Sequence, residues 1–136
     1  SSSPGNRFIP GKRPMSTMNP VIVKNKDNNI SIITGSPGGS FIPAAALRVI
    51  TGIIDFNLDV GQATMLPRIH KDWPYAGLEY ESTLSSDIVS VLDRLGHQPE
   101  PSKTLGSTQS ILIIDDVNYG YADLRRPNAG VAIQVD

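Results

Sequence analysis

Residues 21–54 constrain the fold most, because they predict two strands, a tight loop and a helix in immediate succession. The β-branched runs at 21–23 and 30–33 flank the polar residues 25–29, a pattern that predicts an antiparallel hairpin. After the next loop, apolar residues recur at i, i+3, i+4 spacing, which predicts a helix with one buried face. They are Ile42, Ala45, Ala46, Val49, Ile50, Ile53 and Ile54.

Capping signals predict two further helices. Asp59 and Gln62 have the spacing of a capping box, and Pro67 must end the short helix that they open. Ser85 is a typical N-cap for a second helix, which Gly96 ends. Together with the hairpin, these helices indicate an α/β (α+β) fold class.

Further strands are predicted from short alternating or β-rich runs. Residues 78–81 alternate, and residues 110–114 indicate a buried strand that pairs with 119–122 across a turn at 115–118. Residues 131–135 alternate and predict a last strand. Residues 1–20 have no apolar period and contain several prolines, so we expect an extended lead-in that packs against earlier chain.

Composition excludes several classes of function. The chain has 136 residues, 12 of them basic and 13 acidic, so its charge indicates neither a nucleic acid nor an anionic membrane as partner. No apolar run approaches the roughly 20 residues of a membrane-spanning helix. Because there is no cysteine, disulfides, thiolate catalysis and cysteine-ligated zinc are excluded, while either redox compartment remains open. We predict no cofactor.

The loop at 35–40, GSPGGS, joins the predicted hairpin to the predicted helix. Backbone N–H groups at such a junction attract negative charge, and Gly38 and Gly39 let a ligand approach the backbone closely. A phosphate-binding loop needs GxxxxGK[ST], whereas Ser40 and Phe41 follow here, which disfavours a nucleotide. Two interpretations stay open on spacing alone: an oxyanion hole and a plain tight turn.

Ser16 and Thr17 place adjacent hydroxyls between Pro14 and Pro20. Prolines stiffen this segment, and fixed hydroxyls can hydrogen-bond a substrate carboxylate. Serine and threonine are also common in solvated turns, and the residues alone favour that second interpretation.

Two longer motifs together resemble the paired signature of γ-glutamyltransferases. Residues 11–20 read GKRPMSTMNP and residues 34–40 read TGSPGGS. The resemblance continues in family order through 67–70 (PRIH), 106–110 (GSTQS) and 122–127 (ADLRRP). It covers nearly the whole chain and implies that residues 1–136 are the carboxy-terminal segment of the small subunit of a γ-glutamyltranspeptidase, or glutathione hydrolase, with residues 1–20 holding a substrate loop.

The resemblance implies an N-terminal-nucleophile hydrolase, an αββα sandwich with antiparallel sheets. In this family an N-terminal threonine, freed by autocleavage, attacks the γ-glutamyl carbonyl, and water or an acceptor amine resolves the acyl-enzyme. By motif, Gly38 and Gly39 donate backbone N–H groups to the oxyanion, and Ser16 and Thr17 hold the substrate α-carboxylate. The nucleophile-bearing segment is expected to be absent from this chain.

Partners and location are also implied by the resemblance. They are the large subunit and the upstream part of the small subunit of the same precursor, a small γ-glutamyl substrate, and a periplasmic or secreted location. Thr17, Phe41 and Leu124 depart from the family's usual serine, arginine and proline. The choice of substrate therefore stays open, with a cephalosporin-type acylase and a poly-γ-glutamate depolymerase as alternatives. A non-catalytic module that binds γ-glutamyl peptides is a separate alternative.

Other polar residues are interpreted as structural. His70 and His97 lack metal-ligand spacing, so we predict no metal site, and we expect His70 to pack or orient a loop. Asp123, Arg125 and Arg126 form a compact charged motif. For it we favour an ion-pair network over a substrate-facing arginine.

Overall fold

A computed structural model describes residues 4–74 and 77–133, and within them the chain folds into two sheets and three α-helices. The strands are β1 (Val21–Lys24), β2 (Ile30–Gly35), β3 (Ile69–His70), β4 (Leu78–Glu81), β5 (Pro99–Ser102), β6 (Gln109–Ile114) and β7 (Val117–Ala122). The helices are α1 (Ile42–Ile54), α2 (Val60–Met65) and α3 (Ser86–Arg94), with 3₁₀ turns at Pro4–Asn6 and Gly39–Phe41. This confirms the predicted mixed α+β class.

The larger sheet has the strand order β1-β2-β6-β7, and all its neighbours are antiparallel. Both predicted hairpins form. The second turn is shorter than predicted, because Val117 and Asn118 already pair within β7. Asp115 and Asp116 alone make the turn, with φ of 48° and 62°, the left-handed conformation that two-residue hairpin loops use.

The smaller sheet has the order β3-β4-β5 and contains one parallel pair. β3 is antiparallel to β4, whereas β5 runs parallel to β4, and α3 lies between these two strands in the chain. The prediction of antiparallel sheets is therefore confirmed for the larger sheet and for β3-β4 only. β5 was not predicted, because Pro99 and Pro101 argue against a strand, although an edge strand tolerates them.

The core lies between the larger sheet and the pair α1 and α2. Ile32, Val60 and Leu112 form its central cluster. Of the apolar face predicted for α1, the first four residues are buried, whereas Ile54 at its end is exposed. A Cβ added to Gly52 would lie 3.0 Å from Ala63 Cβ, so a glycine is needed where α1 and α2 approach closely.

The predicted helix caps are present. Gln62 N donates to Asp59 Oδ1 at 2.7 Å and Asp59 N donates to Gln62 Oε1 at 3.2 Å, which completes the capping box. Ser85 caps α3 through its hydroxyl, and Gly96 follows with φ of 84°.

The predicted last strand is wrong over residues 131–133, which have no regular structure, while 134 and 135 lie outside the described residues. Val131 instead packs its side chain over Gly120 of β7, so that a Cβ on Gly120 would lie 3.0 Å from Val131 Cγ1.

Candidate functional site

One end of the larger sheet gathers the segments that contain the predicted site residues. Val21, which begins β1, pairs with Thr34 near the end of β2. Gly35 pairs with Gln109 at the start of β6, and Gln109 pairs with Ala122 at the end of β7. We call this the site end of the sheet. The segments that leave the sheet there are 14–20, 36–40, 104–108 and 123–126.

The glycine loop, residues 35–40, leads straight into a helix. Gly38 and Gly39 have φ of 141° and 62°, and the 3₁₀ turn from Gly39 continues into α1. The first helical bond is donated by Phe41 N to Gly38 O at 3.2 Å. The N–H groups of Gly38, Gly39 and Ser40 therefore precede the first helical hydrogen bond, where the helix dipole favours negative charge.

The two glycines have different surroundings. A Cβ on Gly38 would lie 3.2 Å from Gly106 Cα, whereas a Cβ on Gly39 would have nothing within 4 Å. Gly38 is thus packed against the neighbouring segment, and Gly39 faces open space. A positive φ explains why both positions hold glycine, and the open side of Gly39 leaves room for a ligand to approach its backbone.

Ser36 holds the glycine loop against segment 104–108. Its hydroxyl donates to Pro37 O at 2.7 Å and accepts from Ser107 N at 2.9 Å. Gly106, with φ of 81°, leaves space for this serine, because a Cβ there would lie 2.8 Å from Ser36 Oγ. The first half of the loop is therefore held by a segment about 70 residues away in the sequence.

A second set of contacts, the His70–Asp72 latch, holds the other side of the loop. Ser40 Oγ donates to Asp72 Oδ2 at 2.9 Å, and His70 Nε2 lies 2.8 Å from Asp72 Oδ1. The Phe41 and His70 rings meet edge to face, with centroids 4.8 Å apart. The hydrogen bond with His70, and a smaller contribution from Ser40, hold the pKa of Asp72 below its ordinary value. His70 packs and orients a loop as predicted, whereas Asp72 was not singled out.

Beneath the site end, Arg68 lies fully inside the protein, with 2 % of its surface exposed. Its NH2 donates to Asp123 Oδ2 at 2.7 Å, and its NH1 donates to Leu105 O at 3.2 Å and to Gly106 O at 2.9 Å. Burial lowers the pKa of Arg68, and the bond to Asp123 opposes that effect. A guanidinium keeps its charge in proteins, so Arg68 fixes segment 104–108 as a buried cation.

Arg125 completes the network by joining both carboxylates. It donates to Glu81 Oε1 at 2.8 Å and Oε2 at 2.7 Å, and to Asp123 Oδ1 at 3.2 Å. Burial opposes its charge, but the hydrogen bonds and negative charges of Glu81 and Asp123 together outweigh burial and raise the pKa of Arg125. Burial likewise opposes the charge of Asp123, yet hydrogen bonds from Arg125 N–H and Arg68 lower the pKa of Asp123.

The predicted ion-pair network is therefore confirmed for Asp123 and Arg125. The network also contains Arg68 and Glu81, which sequence reasoning missed, because nothing local marks a pair that only the fold brings together. Two cations face two anions, so the buried network is electrically balanced. Arg126 is different: its side chain is exposed, and within 4–74 and 77–133 it has no carboxylate partner.

Ser16 and Thr17 lie exposed in the extended lead-in. Ser16 Oγ accepts from Met18 N at 3.3 Å, which is a local turn contact. Pro20 Cα lies 3.9 Å from where a Cβ on Gly35 would be, so the lead-in enters the sheet beside the glycine loop. The structure thus brings both loops to one end of the sheet, and no hydrogen bond joins them in the described part of the chain.

An open pocket of about 330 Å³ lies beside the glycine loop. Its lining includes Pro37, Gly38, Phe41, Gly106, Ser107 and Arg126. A larger, mostly apolar pocket of about 710 Å³ has no lining residue in common with it.

Residues 4–74 and 77–133 contain no group of three histidine or carboxylate side chains placed to hold a metal. None of the helices described is long and apolar enough to span a bilayer.

Comparison with known proteins gives matches along the chain. The family model described as Gamma-glutamyltranspeptidase matches residues 1–133. The glutathione hydrolase proenzyme of Escherichia coli K12 is 40 % identical over 121 residues, which are 88 % of this chain and 21 % of that protein. The chain thus spans about a fifth of the length of the curated relatives that it matches.

Solved structures agree with that comparison. A mutant gamma-glutamyltranspeptidase from Helicobacter pylori superposes with a TM-score of 0.84 at 32 % identity, covering 91 % of this chain and 69 % of that one. A cephalosporin acylase from Bacillus halodurans superposes with a TM-score of 0.85 at 25 % identity, covering 95 % of this chain and 24 % of that one.

Proposed function

The chain belongs to the gamma-glutamyltranspeptidase family, which is a family of enzymes, and we therefore propose that it forms part of a γ-glutamyl transferase or hydrolase. Its substrates would be glutathione and other γ-glutamyl amides. The chain would supply contacts to the reacting carbonyl and to the substrate α-carboxylate. The single observation that carries this proposal is the conformation of Gly38 and Gly39 at the start of a helix.

Gly38 and Gly39 would act as the oxyanion hole. When a nucleophile attacks an amide carbonyl, the oxygen becomes negative, and backbone N–H groups that already point at it stabilise that charge without rearranging. Three features support this role: N–H groups ahead of the first helical hydrogen bond, open space at Gly39, and fixation of the loop by Ser36 and by Asp72.

Ser16 and Thr17 would bind the substrate α-carboxylate. Both are exposed, and the lead-in that holds them enters the sheet beside the glycine loop. The local hydrogen bond from Met18 N uses only acceptor capacity of Ser16, which leaves the hydroxyl proton available for a carboxylate. Thr17 offers the same hydroxyl chemistry with an added methyl group.

The acyl group would be carried by a threonine outside residues 1–136. We place this threonine on an upstream part of the small subunit, with a large subunit from the same precursor completing the substrate site. The relatives' name, glutathione hydrolase proenzyme, supports a precursor that is processed. A periplasmic or secreted location is proposed on the family resemblance.

A related acylase is the second candidate. The cephalosporin acylase matches the fold with a TM-score of 0.85, and Phe41 gives the pocket beside the glycine loop an apolar wall. Such a wall suits an uncharged substrate group better than an arginine would. A non-catalytic binding module is an outcome of the same test.

The test is turnover by the complete protein, including the nucleophile-bearing segment. We expect release of 4-nitroaniline from γ-glutamyl-4-nitroanilide and much slower release from glutaryl-4-nitroanilide, which lacks the α-amino group. Faster turnover of the glutaryl compound would favour the acylase. Binding of γ-glutamyl peptides with no turnover of either anilide would favour the binding module, and the isolated chain is expected to be inactive because it lacks the nucleophile.

A further inference from the structure

We propose that Arg126 and the pocket beside the glycine loop bind a carboxylate on the leaving group, the part of the substrate that departs as an amine when the amide is cleaved. This inference rests on the proposed function, because it places the reacting carbonyl at Gly38 and Gly39. It makes amino acids and short peptides, rather than uncharged amines, the preferred leaving groups.

Two adjacent arginines have opposite environments. The side chain of Arg125 is 11 % exposed and pairs with Glu81 and Asp123. Arg126 is turned outward by a tight turn, in which its N–H donates to Asp123 O at 3.3 Å and its carbonyl accepts from Ala129 N at 3.4 Å. Its guanidinium is therefore the charge at this pocket that no carboxylate of the described residues neutralises.

Because the buried network is electrically balanced, it leaves the positive charge of Arg126 uncompensated. Glu81 and Asp123 are already occupied by Arg68 and Arg125, so they leave no negative charge to offset Arg126. Although the pocket is open, an unpaired cation at its rim attracts an anion. A planar guanidinium can also form a bidentate pair of hydrogen bonds with a carboxylate.

The pocket has the right position for a leaving group. It shares Gly38 with the glycine loop, so a group attached to a carbonyl at that loop can enter the pocket directly. Pro37 and Phe41 give it an apolar wall that suits the carbon chain of the leaving group. Ser107 adds a second polar group: the residue is 5 % exposed, and its hydroxyl oxygen has no hydrogen-bond partner within the described chain.

The decisive experiment compares two donors that differ by one carboxylate. γ-Glutamyl-4-nitroanilide has an uncharged leaving group, and γ-glutamyl-3-carboxy-4-nitroanilide has an anionic one. In the complete protein, Arg126→Gln is expected to raise KM for the carboxylated donor by about three- to tenfold, the range for an ion pair at a partly exposed site. KM for the uncharged donor should stay within about twofold of wild type.

Two further variants sharpen the comparison. Arg126→Lys keeps the charge and should recover part of the discrimination, while Arg94→Gln removes an exposed arginine on α3, away from the pocket, and should change neither donor. Equal losses on both donors with Arg126→Gln would assign Arg126 a structural role and overturn the proposal.

A binding measurement separates this proposal from the proposed function. Calorimetric titration of the complete protein with glycylglycine and with glycylglycine amide needs no turnover. We expect the acid to bind more tightly than the amide to wild type, and Arg126→Gln to abolish the difference. If wild type binds acid and amide equally, the carboxylate site does not exist. Failure to cleave either anilide, with the binding difference intact, would instead reject the proposed function alone.

Discussion

Ser107 N donates a hydrogen bond to Ser36 Oγ at 2.9 Å, and this bond joins two segments of the site end that lie far apart in the sequence. Ser36 belongs to the glycine loop, and Ser107 precedes β6. Gly106 leaves the space that the serine hydroxyl occupies. The buried network of Arg68, in turn, binds the carbonyls of Leu105 and Gly106, so the position of the glycine loop depends on charges that never touch it.

Gly106→Ala is expected to destabilise the complete protein. Its φ of 81° is unfavourable for alanine, and the new Cβ would lie 2.8 Å from Ser36 Oγ and 3.1 Å from Ala45 Cβ. The strain should cost about 1 kcal/mol for the conformation and about 1–3 kcal/mol for the overlap. Gly11→Ala is the matched control, because Gly11 has φ of 78° with nothing within 4 Å. Similar melting temperatures for the two variants would contradict the packing argument.

Asp123→Asn is expected to change how stability depends on pH. Hydrogen bonds lower the pKa of Asp123 in the folded protein, so its contribution is present above the unfolded carboxyl value of about 3.9 and is lost as pH falls through the folded value. At pH 7 the variant should lose about 3 kcal/mol or more, because Arg68 remains buried without its charge partner.

The measurement for Asp123→Asn is the melting temperature from pH 7 down to pH 2. The difference between wild type and variant should shrink in the acid range, since wild-type Asp123 becomes protonated there. Asp93→Asn, on the exposed side of α3, should follow the wild-type curve throughout. A difference that is constant with pH would show that Asp123 acts through shape and not through charge.

The elements that were predicted from sequence are those with local physical signals. The Asp59 and Gln62 capping box and the hairpin at 21–33 depend on neighbours within a few residues, and both form. The glycine loop at 35–40 was likewise recognised from its junction between strand and helix, and the structure shows that junction.

What was missed depends on tertiary contacts. Arg68 has no sequence signal for burial, because a charged residue is buried only when a partner such as Asp123, 55 residues away, is brought to it. Pro99 and Pro101 argue against a strand in the sequence, yet β5 forms because its residues pair in parallel with β4. Val131 alternates like a strand residue, yet it is half exposed and packs over Gly120 without joining the sheet, although β7 is an edge strand. Alternation alone is therefore not sufficient for strand pairing.

Asp72→Ala is expected to loosen the glycine loop by removing the latch. Asp72 accepts from Ser40 Oγ and binds His70, so its loss should speed hydrogen exchange in the peptide spanning 35–41 and lower kcat by about three- to tenfold through poorer positioning. Asp72→Asn keeps an oxygen acceptor for Ser40 and should retain most of the rate. Asp93→Ala is the control on an unrelated surface. Unchanged exchange in Asp72→Ala would mean that the latch does not order the loop.

Ser16→Ala is expected to weaken binding of γ-glutamyl substrates by the complete enzyme. A hydrogen bond to a charged carboxylate contributes about 1.5–3 kcal/mol, so KM should rise roughly 10- to 150-fold while kcat changes little. Thr17→Ser keeps the hydroxyl and should be mild. Equal kinetic constants for wild type and Ser16→Ala would return Ser16 to the role of a solvated turn residue.

Gly39 offers the sharpest test of the oxyanion role, which requires removing its N–H without moving the loop. Proline is unsuitable, because φ at Gly39 is 62° and proline holds φ near −65°. Replacing the amide by an ester, with glycolic acid at position 39, deletes the donor and keeps the conformation. Loss of one such donor typically costs about 2.7–4 kcal/mol, so kcat should fall by roughly a hundred- to a thousandfold with a smaller change in KM.

The control for the Gly39 ester is the same replacement at Gly11, which is also in the left-handed region with open space around it and lies outside the glycine loop. If the two esters melt alike and only the Gly39 ester loses kcat, the loss comes from the missing donor and not from backbone damage. A Gly39 ester with kcat within a few fold of wild type would make Gly39 a turn former. Glycine at this position would then be explained by its backbone conformation alone, since φ of 62° favours glycine with or without a ligand.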